Sequence, residues 1–314
     1  MNYYLAPMEG ITGYIFRNAY QKYFHNVDCY YTPFLAPNKH KSFTSKEQND
    51  ILPEHNQGMR VVPQVLTNQA QHFIHTAKML EQMGYDEVNL NLGCPSGTVT
   101  AKGKGAGMLS NPESLDRFLD AVFAKCPIAI SVKTRLGIQS PEEFPALLEV
   151  FNRYPIRELT LHPRVRKEFY SSDVHMDWFR YALENSKNPL CYNGNLCTLS
   201  DIQAFREQFP QVGAVMIGRG LIGDPGMLTP GGTTVPALEA FFDALLETYT
   251  EQFGGPRNAM FRLKENWFYL LRRFEGSEKL GKQLRKTTDI RVYKSITAQI
   301  FHTLPLAKEL QADW

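Results

Sequence analysis

The sequence predicts an α/β fold, a (β/α)8 TIM barrel followed by a smaller all-helical C-terminal domain. Three observations predict it. Short apolar or alternating runs recur with helix-patterned segments between them, and eight such runs lie before residue 218, the strand count of this barrel. The ends of most runs carry polar or charged side chains, where a buried strand would otherwise end apolar. Beyond a glycine- and proline-rich seam at 223–236, strand patterning stops and only helix patterning continues. A length of 314 residues accommodates the roughly 250 of a barrel together with a tail.

In chain order, strands are expected at 3–6, 27–32, 59–64, 86–91, 128–133, 158–162, 189–193 and 213–217. Helices are expected near 14–24, 68–83, 112–124, 141–153, 176–186 and 199–209. Asn111-Pro112-Glu113 and Ser140-Pro141-Glu142 each set a capping residue, then proline at the first helical position, then an acid in the first turn. Leu199-Ser200-Asp201 opens another helix, and the stretch 33–58 is polar and irregular. A barrel domain over 1–228 and a helical domain over 236–314 follow, with tail helices at 237–252, 257–274, 277–286 and 288–302. The rival is a doubly wound open sheet, which wants a glycine fingerprint directly after the first strand. Here that strand runs into Ala6-Pro7-Met8-Glu9-Gly10, and the cluster Gly103-Lys104-Gly105-Ala106-Gly107 lies in a loop after Pro95 and Ser96.

Composition is that of an ordinary globular chain, 43% hydrophobic and 21% charged. Five cysteines, at 29, 94, 126, 191 and 197, include no Cys-x-x-Cys pair, which argues against a disulfide framework and a clustered zinc site; no metal is expected. The N-terminus has no basic stretch leading an apolar one, and no run reaches a membrane-spanning length, so a cytoplasmic monomer without membrane contact is the expectation. The net charge of +2 hides an asymmetry. Residues 257–294 hold eleven Lys or Arg against four acids, a net of +7, while the rest of the chain is −5. Such density of like charge is self-repelling unless a polyanion relieves it. The same segment is laced with Phe261, Trp267, Phe268, Tyr269 and Phe274, whose helical spacing favours a core over stacking platforms.

In a barrel, chemistry sits at the C-terminal ends of the strands. Those positions offer Pro7 and Met8, Gln64, Asn91 with Cys94, Lys133 with Arg135, His162 with Arg164, Asn193-Gly194-Asn195 and Gly218-Arg219-Gly220. The loops after strands 7 and 8 are the usual phosphate site, where Gly194, Gly218 and Gly220 expose N–H groups and Arg219 adds a charged fork. Lys133 and the amides Gln64, Asn91 and Asn193 then suit polar ring edges, and flavin mononucleotide (FMN) fits both halves. A Schiff-base lysine remains open on the lysine alone. Cys94, fixed between Gly93 and Pro95, is the one cysteine in a loop at the reactive end.

Asn91-Leu92-Gly93-Cys94-Pro95-Ser96, Leu5-Ala6-Pro7-Met8-Glu9-Gly10, Lys133-Thr134-Arg135-Leu136-Gly137, Leu161-His162-Pro163-Arg164 and Gly218-Arg219-Gly220 resemble, in the same order, the motifs of the tRNA-dihydrouridine synthases. The resemblance spans nearly the whole chain and implies an FMN barrel joined to a helical tRNA-binding domain. It implies that Pro7, Met8, Gln64, Lys133, His162, Asn193, Gly194, Asn195, Gly218 and Arg219 hold the flavin. Asn91 would lie near flavin and uracil, Cys94 would be the proton donor, and Arg135, Arg164 and Arg166 would meet the nucleotide or its phosphates. Arg262, Lys264 and Trp267 resemble the tRNA-facing helix, to which the basic residues Arg272, Arg273, Arg285 and Lys286 add. Two departures stand out, Pro163 in place of a glycine after the histidine and Asn195 in place of an acid. The opening motif and the tail run resemble most the branch acting on position 16 of the D-loop.

The resemblance implies hydride transfer to uracil C6, protonation of C5 by Cys94, and NADPH as a transient reductant. Two alternatives stay open, a flavin barrel acting on a free pyrimidine, which needs no basic tail, and a non-catalytic RNA-binding module, which needs no flavin.

Overall fold

The computed structural model describes residues 1–37 and 43–311. Eight parallel strands form a ring: β1 (Asn2–Leu5), β2 (Cys29–Tyr31), β3, β4 (Glu87–Leu92), β5 (Ala129–Arg135), β6 (Leu159–His162), β7 (Leu190–Tyr192) and β8 (Ala214–Ile217). Strand β3 is split into Val61–Val62, which pairs with β2, and Gln64–Val65, which pairs with β4. The split falls at Pro63, which has no N–H to give a ladder. Its carbonyl still accepts from Asn89 N at 2.8 Å, so the ring closes through the proline. The expectation of one continuous strand at 59–64 is corrected at this residue.

Between strands run α1 (Tyr14–Tyr23), α2 (Ala70–Gln82), α3 (Pro112–Phe123), α4 (Phe144–Phe151), α5 (Met176–Asn185) and α6 (Leu199–Gln208). The predicted starts operate as caps. Asn111 accepts from Ser114 N, and Glu143 reaches back to Ser140 N, although 141–143 is a 3-10 turn before α4. The irregular stretch 33–58 contains a short helix, Ser45–Ile51, closed by a Thr44/Glu47 capping box.

Side chains alternate across each strand. Tyr4, Ala6, Cys29, Tyr31, Val62, Cys191, Ala214 and Met216 form one buried cluster. Continuing at the same parity toward the strand ends gives Gln64, Asn91, Lys133, His162 and Asn193. The period of two therefore turns the polar strand ends onto the same face as the core.

The chain divides into two compact units. One comprises Met1–Pro7, Cys29–Gly194 and Gln211–Met216; the other comprises Met8–Asp28, Asn195–Pro210 and Ile217–Trp314. This partition differs from the division at 228 and 236, because α1 and α6 group with the C-terminal helices. In that second unit Phe241 of α7 (Val235–Gln252) meets Phe16, Tyr20, Tyr23 and Phe24 edge-on. The tail continues with α8 (Pro256–Leu270), α9 (Glu278–Lys286) and α10 (Ile290–Thr303). Its core is aromatic: Trp267 packs on Phe242 and Phe301 and donates Nε1–H to Tyr293 Oη at 2.8 Å. Residues 223–227, expected as linker, are buried. Tyr20 donates to Pro225 O, and Asp224 pairs with Arg273. No described helix is long and apolar enough to cross a membrane.

Candidate active site

The barrel unit carries a chain of amides at its reactive end. Gln64 on β3 donates Nε2–H to Asn89 Oδ1 at 2.8 Å and accepts from Asn91 Nδ2 at 2.8 Å. Asn89 in turn donates to Ser131 Oγ at 2.9 Å. Each amide is thereby locked in one orientation, which a buried polar wall requires. Asn91 has a second task. Its Oδ1 accepts from the N–H groups of Gly93 and Cys94, at 3.1 and 2.9 Å, so the strand end and the cysteine loop move as one.

Cys94 is half-buried, and its loop is pinned from the other side by Ala106 N–H on the Cys94 carbonyl at 3.1 Å. Gly105 allows that contact. Its φ is +56°, and a Cβ would stand 2.9 Å from the Cys94 carbonyl oxygen.

Lys133 on β5 lies in register with Asn91 on β4. Its Nζ donates to Asn193 Oδ1 at 2.7 Å, and Asn193 Nδ2 is fixed on Met216 O at 2.7 Å. No carboxylate among the described residues pairs with it. Burial, and then the Arg135 guanidinium, pull the ammonium down to about 7. A lysine in this state suits an electron-rich or anionic ligand, whose approach restores the charge.

Two arginines brace the mouth. Arg135 is 1% exposed and donates to Gly93 O at 2.9 Å and Val165 O at 3.2 Å, with its guanidinium 5.2 Å from the Tyr170 ring centre. Arg164, equally buried, spans Ser172 O and the His162 ring nitrogen, the latter at 2.9 Å. Arg166 reaches Thr100 Oγ1 at 3.1 Å and covers the ring of Phe169, a residue with φ of +51°. Neither aromatic was singled out from the sequence, yet Phe169 and Tyr170 are 44% and 50% exposed. Asn89 and Ser131 were missed too, although their parity with Asn91 and Lys133 would have found them.

In the other unit, Met8 is held in a turn, its N–H on Thr12 Oγ1 at 2.8 Å. Arg219 donates to Asn195 Oδ1 at 3.2 Å. Asn195 is left-handed with φ of +44°, a conformation its short amide tolerates. Gly218 precedes the short helix Arg219–Gly223. At Gly220 a Cβ would stand 2.5 Å from Leu196 O, so only glycine allows that approach.

The tail residues separate into two groups. Arg285 and Lys286 are exposed, and Arg272 is half-exposed over the Phe268 ring. Arg273 is a correction: it is 7% exposed and its Nε meets Asp224 at 2.9 Å, so an interior ion pair holds the guanidinium away from any RNA. Lys264 caps the end of α9 through the carbonyls of Arg285 and Thr287. Arg262 is half-buried, 3.4 Å from Glu265. Trp267, at 1% exposure, belongs to the core.

The sequence model of the dihydrouridine synthases (Dus) matches residues 4–289, the barrel and most of the tail. The chain belongs to the dihydrouridine synthase family. A probable tRNA-dihydrouridine synthase of Staphylococcus aureus is 29% identical over 230 residues, covering 70% of this chain and 68% of that protein. A tRNA-dihydrouridine(16) synthase of Cupriavidus necator is 29% identical over 231 residues, covering 71% and 70%. Among solved structures, a morphinone reductase mutant in complex with tetrahydroNAD superposes with TM-score 0.51 at 12% identity, over 72% of this chain and 85% of that one. Morphinone reductase itself gives 0.50 at 13% identity, over 72% and 84%. At such identity the likeness concerns the barrel fold alone. In this dihydrouridine synthase, Lys133 and the Asn91–Cys94 loop stand on neighbouring strands.

Proposed function

We propose that this dihydrouridine synthase reduces the C5=C6 bond of a D-loop uridine in tRNA, with FMN as cofactor and NADPH as electron source. The observation that carries the reading is the register of Lys133 with Asn91, whose side chain also holds the Cys94 N–H. The donor set fits a flavin: an ammonium that no carboxylate among the described residues pairs with, beside a hydrogen-bonded wall of amides. Lys133, Gln64, Asn193, His162, Pro7 and Met8 would hold the ring system. Gly194, Asn195, Gly218 and Arg219, which follow β7 and β8 in the chain, would take its phosphate. When bound, the flavin supplies hydride-transfer chemistry.

The chain's own residues do the rest. Cys94 Sγ–H gives a proton to uracil C5 while C6 receives hydride, so uridine, NADPH and one proton become dihydrouridine and NADP⁺. Asn91 fixes the thiol's height through the Cys94 N–H, and Arg135 holds the same loop through Gly93 O. The target base has to leave its stack to reach this mouth. The exposed basic residues Arg285 and Lys286, with Arg272, attract the RNA backbone. Position 16 is the proposed target, as in the Cupriavidus necator relative's name, and the cytoplasm the proposed compartment.

The test is direct. Purified protein should release FMN, identified by mass spectrometry, and should convert uridine to dihydrouridine in an unmodified tRNA transcript supplied with NADPH. Release of the dinucleotide, or a flavoprotein that reduces free uridine as well as tRNA, would replace this reading with a small-molecule one.

A further inference from the structure

We propose that one face of α8 is a stacking ladder for unpaired bases of an RNA strand. Cations and rings alternate along it and along the 3-10 turn Leu271–Arg273 that continues it: Arg257, Phe261, Lys264, Phe268, Arg272. Steps of three and four residues keep all five on one side of a helix. Arg257 Cζ lies 5.6 Å and Lys264 Nζ 4.9 Å from the Phe261 ring centre, and Arg272 Cζ lies 4.7 Å from that of Phe268.

The rings are nonetheless in water, Phe261 at 42% and Phe268 at 41% exposure. The helix does not need them for its core. Ala259, Met260, Leu263, Asn266, Trp267 and Leu270 supply the buried side. Set between cations, these exposed rings give the face an aromatic surface open to a ligand. Two of the three cations beside them are held in place: Lys264 on the carbonyls of Arg285 and Thr287, Arg272 Nη1 on Phe268 O.

Charge complementarity identifies the occupant. Arg257, Lys264 and Arg272 line the face, and exposed Arg285 stands at the α9 end that Lys264 caps, an arrangement that matches a polyanion. Rings between cations match a single strand, whose bases stack on aromatic faces while its phosphates meet the guanidiniums. A double-helical stem has no open base face to offer. The inference rests on the tRNA reading and narrows it: this surface takes loop or end nucleotides, not the stem.

The experiment compares the full-length parent with a Phe261→Leu/Phe268→Leu pair and a Phe261→Trp/Phe268→Trp pair. Binding is measured to unmodified tRNA, to single-stranded oligouridylate and to duplex RNA of equal length, each at several salt concentrations. Base–aromatic stacking predicts that the leucine pair loses about tenfold or more in affinity for both tRNA and oligouridylate. Its salt slope should stay at the parent value, because the exchange removes no charge. The tryptophan pair should keep affinity, and its added fluorescence should be quenched by oligouridylate and not by duplex. Unchanged affinity in the leucine pair, or equal quenching by duplex, overturns the proposal. So does a fall in salt slope, which would mean that the rings only position the cations. Should the parent bind oligouridylate in a ring-dependent way and ignore tRNA, the ladder stands and the substrate reading fails.

Discussion

Asn91 Oδ1 and Ala106 N–H hold the Cys94 backbone from two sides, and Arg135 holds the residue before it. A thiol so placed can be removed without disturbing its support, since these three hydrogen bonds all fall on backbone atoms of Gly93 and Cys94. Cys94→Ala should therefore keep the flavin and its reduction by NADPH, while reoxidation by tRNA slows by about 10²–10⁴-fold, the worth of a positioned general acid. Anaerobic stopped-flow follows the two half-reactions separately. Reoxidation at the parent rate would make Cys94 a turn residue, and collapse of both half-reactions would make the loop a cofactor support. The motif Asn-Leu-Gly-Cys-Pro was legible in the sequence, and so were Lys133 and Gln64. The bracing parts of Arg135 and Arg164 were not, because the partners of Arg135 are carbonyls brought near by other strands, and those of Arg164 depend on how its own loop folds back.

At the opposite ends of the strands, β4 begins with Glu87, and Glu158 directly precedes β6. Glu87 is paired with Arg60 at 3.1 Å and Arg157 at 3.2 Å. Glu158 accepts from Tyr4 Oη at 3.3 Å beside a cavity of about 290 Å³. Burial and the nearby Glu87 push its carboxyl up to about 7. The folded chain thus binds a proton that the unfolded chain has released between the ordinary carboxylate value and about 7. The stabilising contribution is complete at low pH and is lost as pH rises through that window. Glu158→Gln should remove this slope and stabilise the protein at pH ~8 by roughly 1–3 kcal/mol. Urea midpoints at pH ~5 and ~8 measure it. A variant with the parent's pH dependence would show that Glu158 is not the titrating group. Among the elements, the eight strands and the tail helices were legible from periodicity. The split at Pro63 and the helix Ser45–Ile51 also had signals, a proline inside a strand and a Thr-x-x-Glu capping box, that strand counting passed over.

For the chain as a whole, the +7 segment is not one functional surface. Arg285 and Lys286 face solvent, while Arg273 is enclosed with Asp224. Reversing Arg285 and Lys286 to glutamate should weaken tRNA binding and flatten its salt dependence, by roughly 0.7–0.9 in log–log slope for each phosphate no longer neutralised. Folding and the flavin spectrum should stay as in the parent. Arg273→Gln should instead destabilise the fold by about 3–5 kcal/mol, because the buried Asp224 loses its partner. Filter binding across salt and thermal melting separate the two effects. Equal tRNA loss in both variants at unchanged melting temperature would put Arg273 back on the RNA surface.

The sequence by itself determined the barrel, the helical tail, the motif residues at the strand ends and the concentration of charge in 257–294. Each of these is a one-dimensional property: strand parity, helix periodicity, spacing within a loop, a local count. Tertiary structure decided what depends on neighbours distant in the chain. It buried Arg273 and Trp267, which the sequence set beside exposed residues of the same kind, and it left Phe261 and Phe268 in water. Helical periodicity marks which residues share a face, but only packing selects which face is covered. Trp267 turned inward onto Phe242 and Phe301, so Phe268, one residue and about 100° further round the helix, faces solvent.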